Sequence, residues 1–337
     1  MKKVSVIIPC FNATKYLPKC FMSLVQQTIG IDQIELIFVD DASTDEDATW
    51  NMLQEFERAY PESIMILKLE ENMRQGGARN VALQYATGEY IAFVDADDFV
   101  SENFLLETYE KAKESDADII QFEYFYYTDR LGAVDSGRNI TPEVIEISSV
   151  SDRKRFLISE KVTYGCWNKL YRHTLLNEAH TAYAEHVIYE EPLFVYPLLY
   201  FANKIVILND AYYYYRQNDS GTMRNDMRQE ETLKMHADVQ LAVWNFMKKT
   251  PFFKEYYDEI KLYFLHTYLY ETLYFAKLRD FKPSYAFYKE LEKTVITEVP
   301  DYDESTYSAL IPKQMELYRM IGEGMTEEKF KEYWERL

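Results

Sequence analysis

The chain predicts an α/β protein: a Rossmann-like, mainly parallel sheet flanked by helices, with a helical appendage at the C-terminal end. Three observations carry this. Over residues 1–125 short apolar runs alternate with amphipathic stretches, the βαβα pattern of a parallel sheet. From residue 226 onward the apolar positions recur at helical spacing instead. Finally, the run Tyr90-Ile91-Ala92-Phe93-Val94 stops in Asp95, Asp97 and Asp98. A buried strand that emerges at a ligand site would look like this, because open α/β sheets collect ligands at the carboxyl ends of their strands.

Taken in order, Val4 to Pro9 forms the first strand. Asn12 or Thr14 is placed to cap a helix whose Leu17, Phe21, Leu24 and Val25 share one face. Leu36 to Val39 is the second strand, ending in Asp40-Asp41-Ala42-Ser43-Thr44-Asp45, where Ser43 or Thr44 suits the next helix cap. Ile64 to Leu69 is the third strand. A loop holding Gly76-Gly77 follows, then a helix through Ala78 to Leu83 and the strand that runs to Asp95. Further on, Phe122 to Tyr127, Val206 to Leu208 and Tyr212 to Tyr215 read as strands or aromatic runs. Trp244 and Met247, and then Phe264, Tyr268 and Leu269, fall on helices.

Composition bounds the function. With 337 residues and 47% hydrophobic content the chain can bury a sizeable core. A net charge of −19 excludes a nucleic-acid partner and simple adhesion to anionic lipid, and any polyphosphate ligand would need a counter-cation. Cys10, Cys20 and Cys166 have no spacing for a disulfide framework or zinc, and the five histidines show no ligand spacing. The N-terminus lacks an h-region and no apolar run reaches roughly 18 residues, so a cytoplasmic protein is expected. On an extended backbone Asp95 and Asp97 share a side across Ala96. Together they could hold one hard divalent cation and leave its other positions to phosphate oxygens and water. On its own, a D-x-D reads first as an acidic turn capping the next helix.

Company decides between those readings. Val6-Ile7-Ile8-Pro9-Cys10-Phe11-Asn12, Phe38-Val39-Asp40-Asp41-Ala42-Ser43-Thr44-Asp45, Gly77-Ala78-Arg79-Asn80 and Phe93-Val94-Asp95-Ala96-Asp97-Asp98 together resemble, in order and spacing, the serial motifs of family 2 glycosyltransferases of the GT-A fold. The resemblance is dense over residues 1–125 and continues to about residue 225. It implies a GT-A catalytic domain over 1–225, divided into a nucleotide-sugar and metal half (1–125) and an acceptor half (126–225), with a helical region over 226–337. The donor set it implies is Pro9, Phe11, Asn12, Asp41, Arg79, Asp95, Ala96 and Asp97. Asp41 would accept from the nucleotide base and Phe11 would lie against its ring. Arg79 would contact the diphosphate, and Asp97 with Asp95 would bind Mg²⁺ or Mn²⁺.

In the second half Tyr189-Glu190-Glu191-Pro192 resembles the family's acid pair. Its second member is the base that takes the acceptor proton as the hydroxyl attacks opposite the leaving nucleotide. That residue is usually aspartate; here it is Glu191. Trp167 would floor an acceptor sugar, Lys169 would meet the acceptor side, the diphosphate or a neighbouring acid, and Arg216 and Arg224 would close over the donor. The same residues at a helix start, in a core or in a solvated loop have bland readings too. The expected function is therefore an inverting transferase moving a sugar, most simply from a UDP donor, to a glycan or lipid-linked acceptor in bacterial surface polysaccharide or capsule synthesis. Its tyrosine-rich helices are compatible with packing on the catalytic domain, with peripheral contact at the inner membrane face, or with a homo-oligomer. The alternatives are a noncatalytic glycan-binding or assembly subunit of the same fold and a nucleotidyltransferase. The latter should carry a Gly-rich basic loop, which Pro9 to Thr14 lacks.

Overall fold

The computed structural model describes residues 2–217 and 230–337. The chain divides into two compact units, Met1–Asn218 and Asp219–Leu337. The boundary expected near residue 225 lies outside the described residues.

The first unit is a 10-stranded sheet with the order β3-β2-β1-β4-β9-β6-β10-β5; β7 pairs with β6 and β8 with β10. Its strands are β1 (Val4–Cys10), β2 (Ile34–Asp40), β3 (Ile64–Lys68), β4 (Tyr90–Phe93), β5 (Phe99–Val100), β6 (Ile119–Thr128), β7 (Gly132–Asp135), β8 (Glu143–Glu146), β9 (Lys169–Arg172) and β10 (Lys204–Arg216). β1 to β4 are parallel to one another, and β6 is parallel to β10. β9 runs antiparallel between β4 and β6, pairing Ala92 with Leu170 and Gln121 with Lys169. That reversal brings the segment before β9 back to the carboxyl edge where β4 ends. All seven residues of β1 are buried, as a strand covered on both faces requires. Of the helices, α1 (Leu17–Val25) buries Leu17, Cys20, Phe21 and Leu24. Phe21 stacks on Phe56 of α2 (Ala48–Ala59) with ring centroids 3.7 Å apart. Each such side chain, fully buried, contributes about 2 kcal/mol.

Three local expectations are corrected. Neither Asn12 nor Thr14 caps α1, which starts after Tyr16 with no side-chain cap. Asn12 is instead tied across to the loop after β2: its Oδ1 accepts from Thr44 N–H (2.8 Å) and its backbone N–H donates to Ser43 Oγ (3.0 Å). Ser43 and Thr44 are thus engaged away from the start of α2. Asp45 supports that turn, accepting from both Thr49 N–H (3.1 Å) and Thr49 Oγ1 (2.6 Å). Finally, Gly76 and Gly77 lie inside α3 (Arg74–Leu83) and not in a loop. A Cβ at Gly76 would stand 2.2 Å from Ala184 O, so glycine there lets the helix touch another chain segment.

Later helices of this unit are α4 (Phe104–Ser115), α5 (Val150–Leu157), α6 (His173–Ala179) and α7 (Glu191–Phe201). α7 starts at the second acid of the Glu190-Glu191 pair, with proline in its first turn. Its far end is held by Arg153 of α5, whose guanidinium donates to the carbonyls of Leu199 (2.7 Å) and Ala202 (2.8 Å). Cys10, Cys20 and Cys166 are buried free thiols.

The second unit is helical: Glu230–Met247, a long run of Tyr257–Phe264, Leu265–Glu271 and Thr272–Leu278, then Tyr285–Glu298, Pro312–Gly322 and Glu327–Arg336. Leu265–Glu271 is a π-helix, so the Phe264, Tyr268, Leu269 spacing passes from α into π winding. Trp244 is buried, stacked on Phe264 (4.8 Å) with its Nε1–H donated to Glu298. Among the described residues no helix is long and apolar enough to cross a membrane.

Candidate active site

β4 stops at Phe93, and Asp95 to Asp98 form a turn closed by Asp98 N–H to Asp95 O (3.0 Å). The extended-backbone argument for a shared face therefore does not apply; the turn sets where the acids point. Asp98 is buried, its two oxygens accepting from Tyr213 Oη (2.7 Å) and Arg216 N–H (2.7 Å). Burial first, then Asp97 and Asp95, push its carboxyl well above the usual range. Tyr213 Oη also accepts from Asp95 N–H (3.1 Å). Arg216 is only 6% exposed, donating Nε–H to Asp97 O (2.8 Å) and pairing with Asp129 (2.6 Å). The end of β10 thus clasps the acidic turn. Arg216, expected to close over the donor, is here held inside the protein by these bonds. Arg224 lies outside the described residues.

Arg79 is the hub. Its side chain is 1% exposed, with one guanidinium nitrogen 2.7 Å from Asp95 Oδ1 and the other 2.5 Å from Glu190 Oε1. It joins the acidic turn to an acid 111 residues further along the chain. These bonds use two of its five N–H donors, and its Nε–H meets no acceptor among the described residues, so the residue expected to contact the diphosphate is a buried bridge with donors to spare. Asn80, next in line, fastens the same segment by accepting from Tyr183 N–H (2.8 Å) and donating to Tyr183 O (3.0 Å). His186 N–H donates to Met73 O (3.0 Å), just before α3.

On the other side of the turn, Pro9 is buried within β1, while Phe11 just beyond it is 48% exposed and free to offer a ring face. The two acids after β2 divide. Asp40 Oδ1 accepts from Ser43 N–H (3.1 Å). Asp41 Oδ1 accepts from Met73 N–H (2.7 Å), and burial raises its carboxyl above the ordinary value, against those backbone donors. Ala96 is buried.

On the acceptor side, Trp167 is part-buried and lies parallel to Tyr215 (5.4 Å, 5°), edge-on to Tyr124 (4.8 Å). Burial, and after it Asp98, Asp95, Asp97 and Glu191, raise the Tyr215 phenol, so this stack lies in the field of both acid groups. Lys169 is 0% exposed, which corrects the expectation that it meets acceptor or diphosphate; β9 is an inner strand. The acid pair itself is split. Glu190 is committed to Arg79. Glu191 Oε1 accepts from Cys166 N–H (2.7 Å), and burial together with the adjacent Glu190 pushes its carboxyl up to about 7.

Among the described residues no group of three or more His, Cys, Asp or Glu side chains is placed to hold a metal ion. The donor set on offer is Asp95 and Asp97, both part-buried hard-oxygen ligands. Asp95 has one oxygen on Arg79. The crowding felt by Asp98 shows negative charge concentrated at the turn. Such a set fits a divalent cation that completes its shell with phosphate oxygens and water.

The sequence reading missed Gly76, Asn80 and His186, which stitch α3 to the segment carrying the acid pair. The Arg79-Asn80 dipeptide carried the signal, since two adjacent polar residues in a helix that packs on the sheet, one of them buried, need partners from elsewhere.

The family model described as Glycosyl transferase family 2 matches residues 5–179. Glycosyltransferase GlyG of Streptococcus pneumoniae is 31% identical over 240 residues, 66% of this chain and 73% of its own length. The poly(ribitol-phosphate) beta-N-acetylglucosaminyltransferase TarS of Staphylococcus aureus (strain MW2) is 30% identical over 223 residues, 66% of this chain but 36% of TarS. The chain thus spans about a third of that relative. The crystal structure of S. aureus TarS residues 1–349 with UDP superposes with a TM-score of 0.72 at 22% identity, covering 98% of this chain and 89% of that one. This likeness shows a shared GT-A fold.

Proposed function

The chain belongs to glycosyl transferase family 2, and from that premise we propose that it is an inverting transferase, passing a sugar from a UDP donor to a glycan or lipid-linked acceptor in surface-polymer synthesis. The observation that carries the reading is the Arg79 bridge, which sets the acid pair beside the acidic turn. Asp41 accepts from the imide N–H of uracil with its remaining acceptor capacity, and Phe11 lies against the ring. Asp97 and Asp95 would hold Mg²⁺ or Mn²⁺, which would supply charge neutralisation for the departing diphosphate. Glu191 takes the proton of the acceptor hydroxyl. As that oxygen bonds to the anomeric carbon, the bond from this carbon to the phosphate oxygen breaks, and UDP leaves on the opposite face. A carboxyl raised to about 7 suits this task, because a base works best with its pKa near the working pH. The Trp167 and Tyr215 rings offer an apolar wall for the acceptor ring.

Two relatives named as poly(ribitol-phosphate) transferases, a beta-glucosyl and a beta-N-acetylglucosaminyl enzyme, suggest the probes. The test is calorimetry with UDP, GDP and CDP, with and without Mn²⁺, followed by transfer from UDP-glucose and UDP-N-acetylglucosamine to poly(ribitol phosphate). UDP is expected to bind best; no nucleotide binding under any condition would end the reading. Glu191→Gln is expected to keep UDP binding and lose transfer by about 10²- to 10⁴-fold. Normal turnover would remove Glu191 as base. In the native protein activity should rise with pH through about 7, because only the carboxylate form accepts a proton.

A further inference from the structure

Lys169 is the most costly residue near the site that the reaction above does not use. Its ammonium is fully buried, and its three hydrogen bonds go to neutral oxygens: Thr163 Oγ1 (2.9 Å), Asn168 Oδ1 (2.8 Å) and Gly165 O (2.5 Å). A buried cation without a bonded carboxylate is a heavy burden on stability. Holding the loop does not explain it. Thr163 N–H is already donated to Gln121 Oε1 (2.9 Å), and Asn168 Nδ2 to Phe122 O (3.2 Å), so both ends of the loop are tethered to β6 without it. What Lys169 adds is its hold on the Gly165 carbonyl.

That carbonyl and the N–H of Cys166 are the two ends of one planar peptide group. The Cys166 N–H is the donor that meets Glu191 Oε1 at 2.7 Å. We propose that Lys169 is a positioning residue for the base: its ammonium grips the Gly165–Cys166 peptide at the oxygen, so that the amide at the opposite end fixes the Glu191 carboxylate toward the acceptor hydroxyl. The cation also polarises the peptide, which makes its N–H a stronger donor, as in any chain of hydrogen bonds. The inference rests on Glu191 being the base. The groups acting on Glu191 are Glu190, Arg79, the Cys166 amide and Asp95. On Lys169 burial acts first and pulls its pKa down to about 7, while Glu191, the Cys166 thiol and Glu123 favour the ammonium and Arg138 opposes it, so the grip carries its charge below neutral pH and is a neutral amine's hydrogen bond above it. The two residues thus share one field, and the peptide between them is its mechanical link.

The test follows Glu191 by carbon-13 NMR of carboxyl-labelled glutamate, assigned by the signal lost in Glu191→Gln. Native protein, Lys169→Met and Lys169→Gln are titrated, with UDP calorimetry to check that each variant keeps its donor site. Loss of the grip weakens an interaction that favours the carboxylate, so the Glu191 midpoint should rise in Lys169→Met. Transfer at neutral pH should fall about tenfold or more at unchanged donor KM. Lys169→Gln, which keeps a donor without the charge, should shift in the same direction by less, and it decides the matter if the Met variant does not fold. An unmoved midpoint in a variant that still binds UDP overturns the proposal. Normal turnover by Glu191→Gln overturns the base assignment instead, which separates the two failures.

Discussion

Gly76 occupies a position where a methyl group has no room: a Cβ there would be 2.2 Å from Ala184 O and 2.9 Å from Glu190 Cγ. Gly76→Ala should therefore push away the segment that carries the acid pair. A loss of about 1–3 kcal/mol is expected in denaturant unfolding. Transfer should suffer more than UDP binding, because the displaced side chain is the neighbour of the base. Equal loss of both would mean that the strain spreads into the donor side. At this scale the sequence was legible wherever a residue's chemistry is rare: three carboxylates at a strand end, an arginine after paired glycines, two acids before a proline. It was opaque where the outcome depends on burial. Lys169 and Arg216 looked like ligand contacts because a cation in a motif segment is usually exposed; an inner strand and a clasp around Asp98 made them internal. Nothing in a local window states that β9 will be inserted between β4 and β6.

Among the elements, the parallel strands and their order of appearance could be read from the alternation, because a strand covered on both faces must be continuously apolar. Caps could not. Asn12, Ser43 and Thr44 are all good capping residues, yet they bond to one another across two loops and leave α1 without a side-chain cap. Tertiary partners outcompeted the local ones. In the helical unit, His236 on Glu230–Met247 is buried, with Nδ1 2.8 Å from Thr272 Oγ1, and burial pulls its pKa down to about 3 from an ordinary 6.5. The unfolded chain binds this proton at a higher pH than the folded one. Its contribution is thus intact above pH 6.5 and is lost as the pH falls toward 3. Between pH 6.5 and 5 this one group should cost about 2 kcal/mol. Urea unfolding at the two pH values, native against His236→Gln, measures it. A variant that loses as much stability as the native protein on acidification would assign the effect to other groups.

For the molecule as a whole, the charge of −19 sets how an anionic donor can be held. Without metal, UDP approaches a like-charged protein, so moderate salt should strengthen its binding by screening. With Mn²⁺ the affinity should rise and the salt dependence flatten or reverse. Asp97→Ala should abolish the metal effect while leaving the unfolding transition unchanged, and calorimetry across ionic strength would show either result. The change from strand-and-helix alternation to helical spacing was read near residue 226, which lies outside the described residues, whereas the π-helical stretch Leu265–Glu271 was not legible, since one residue of extra winding leaves the apolar pattern almost intact. The three buried thiols allow one more use of this architecture. Cys10 ends β1, Cys20 lies on α1 beneath Asp95, and Cys166 adjoins the base, with burial holding each in its unreactive protonated form. An alkylating reagent can consume them only when the surrounding structure parts, so the rate at which each sulfur is labelled times the breathing of its own neighbourhood, and a bound nucleotide should slow those clocks unequally.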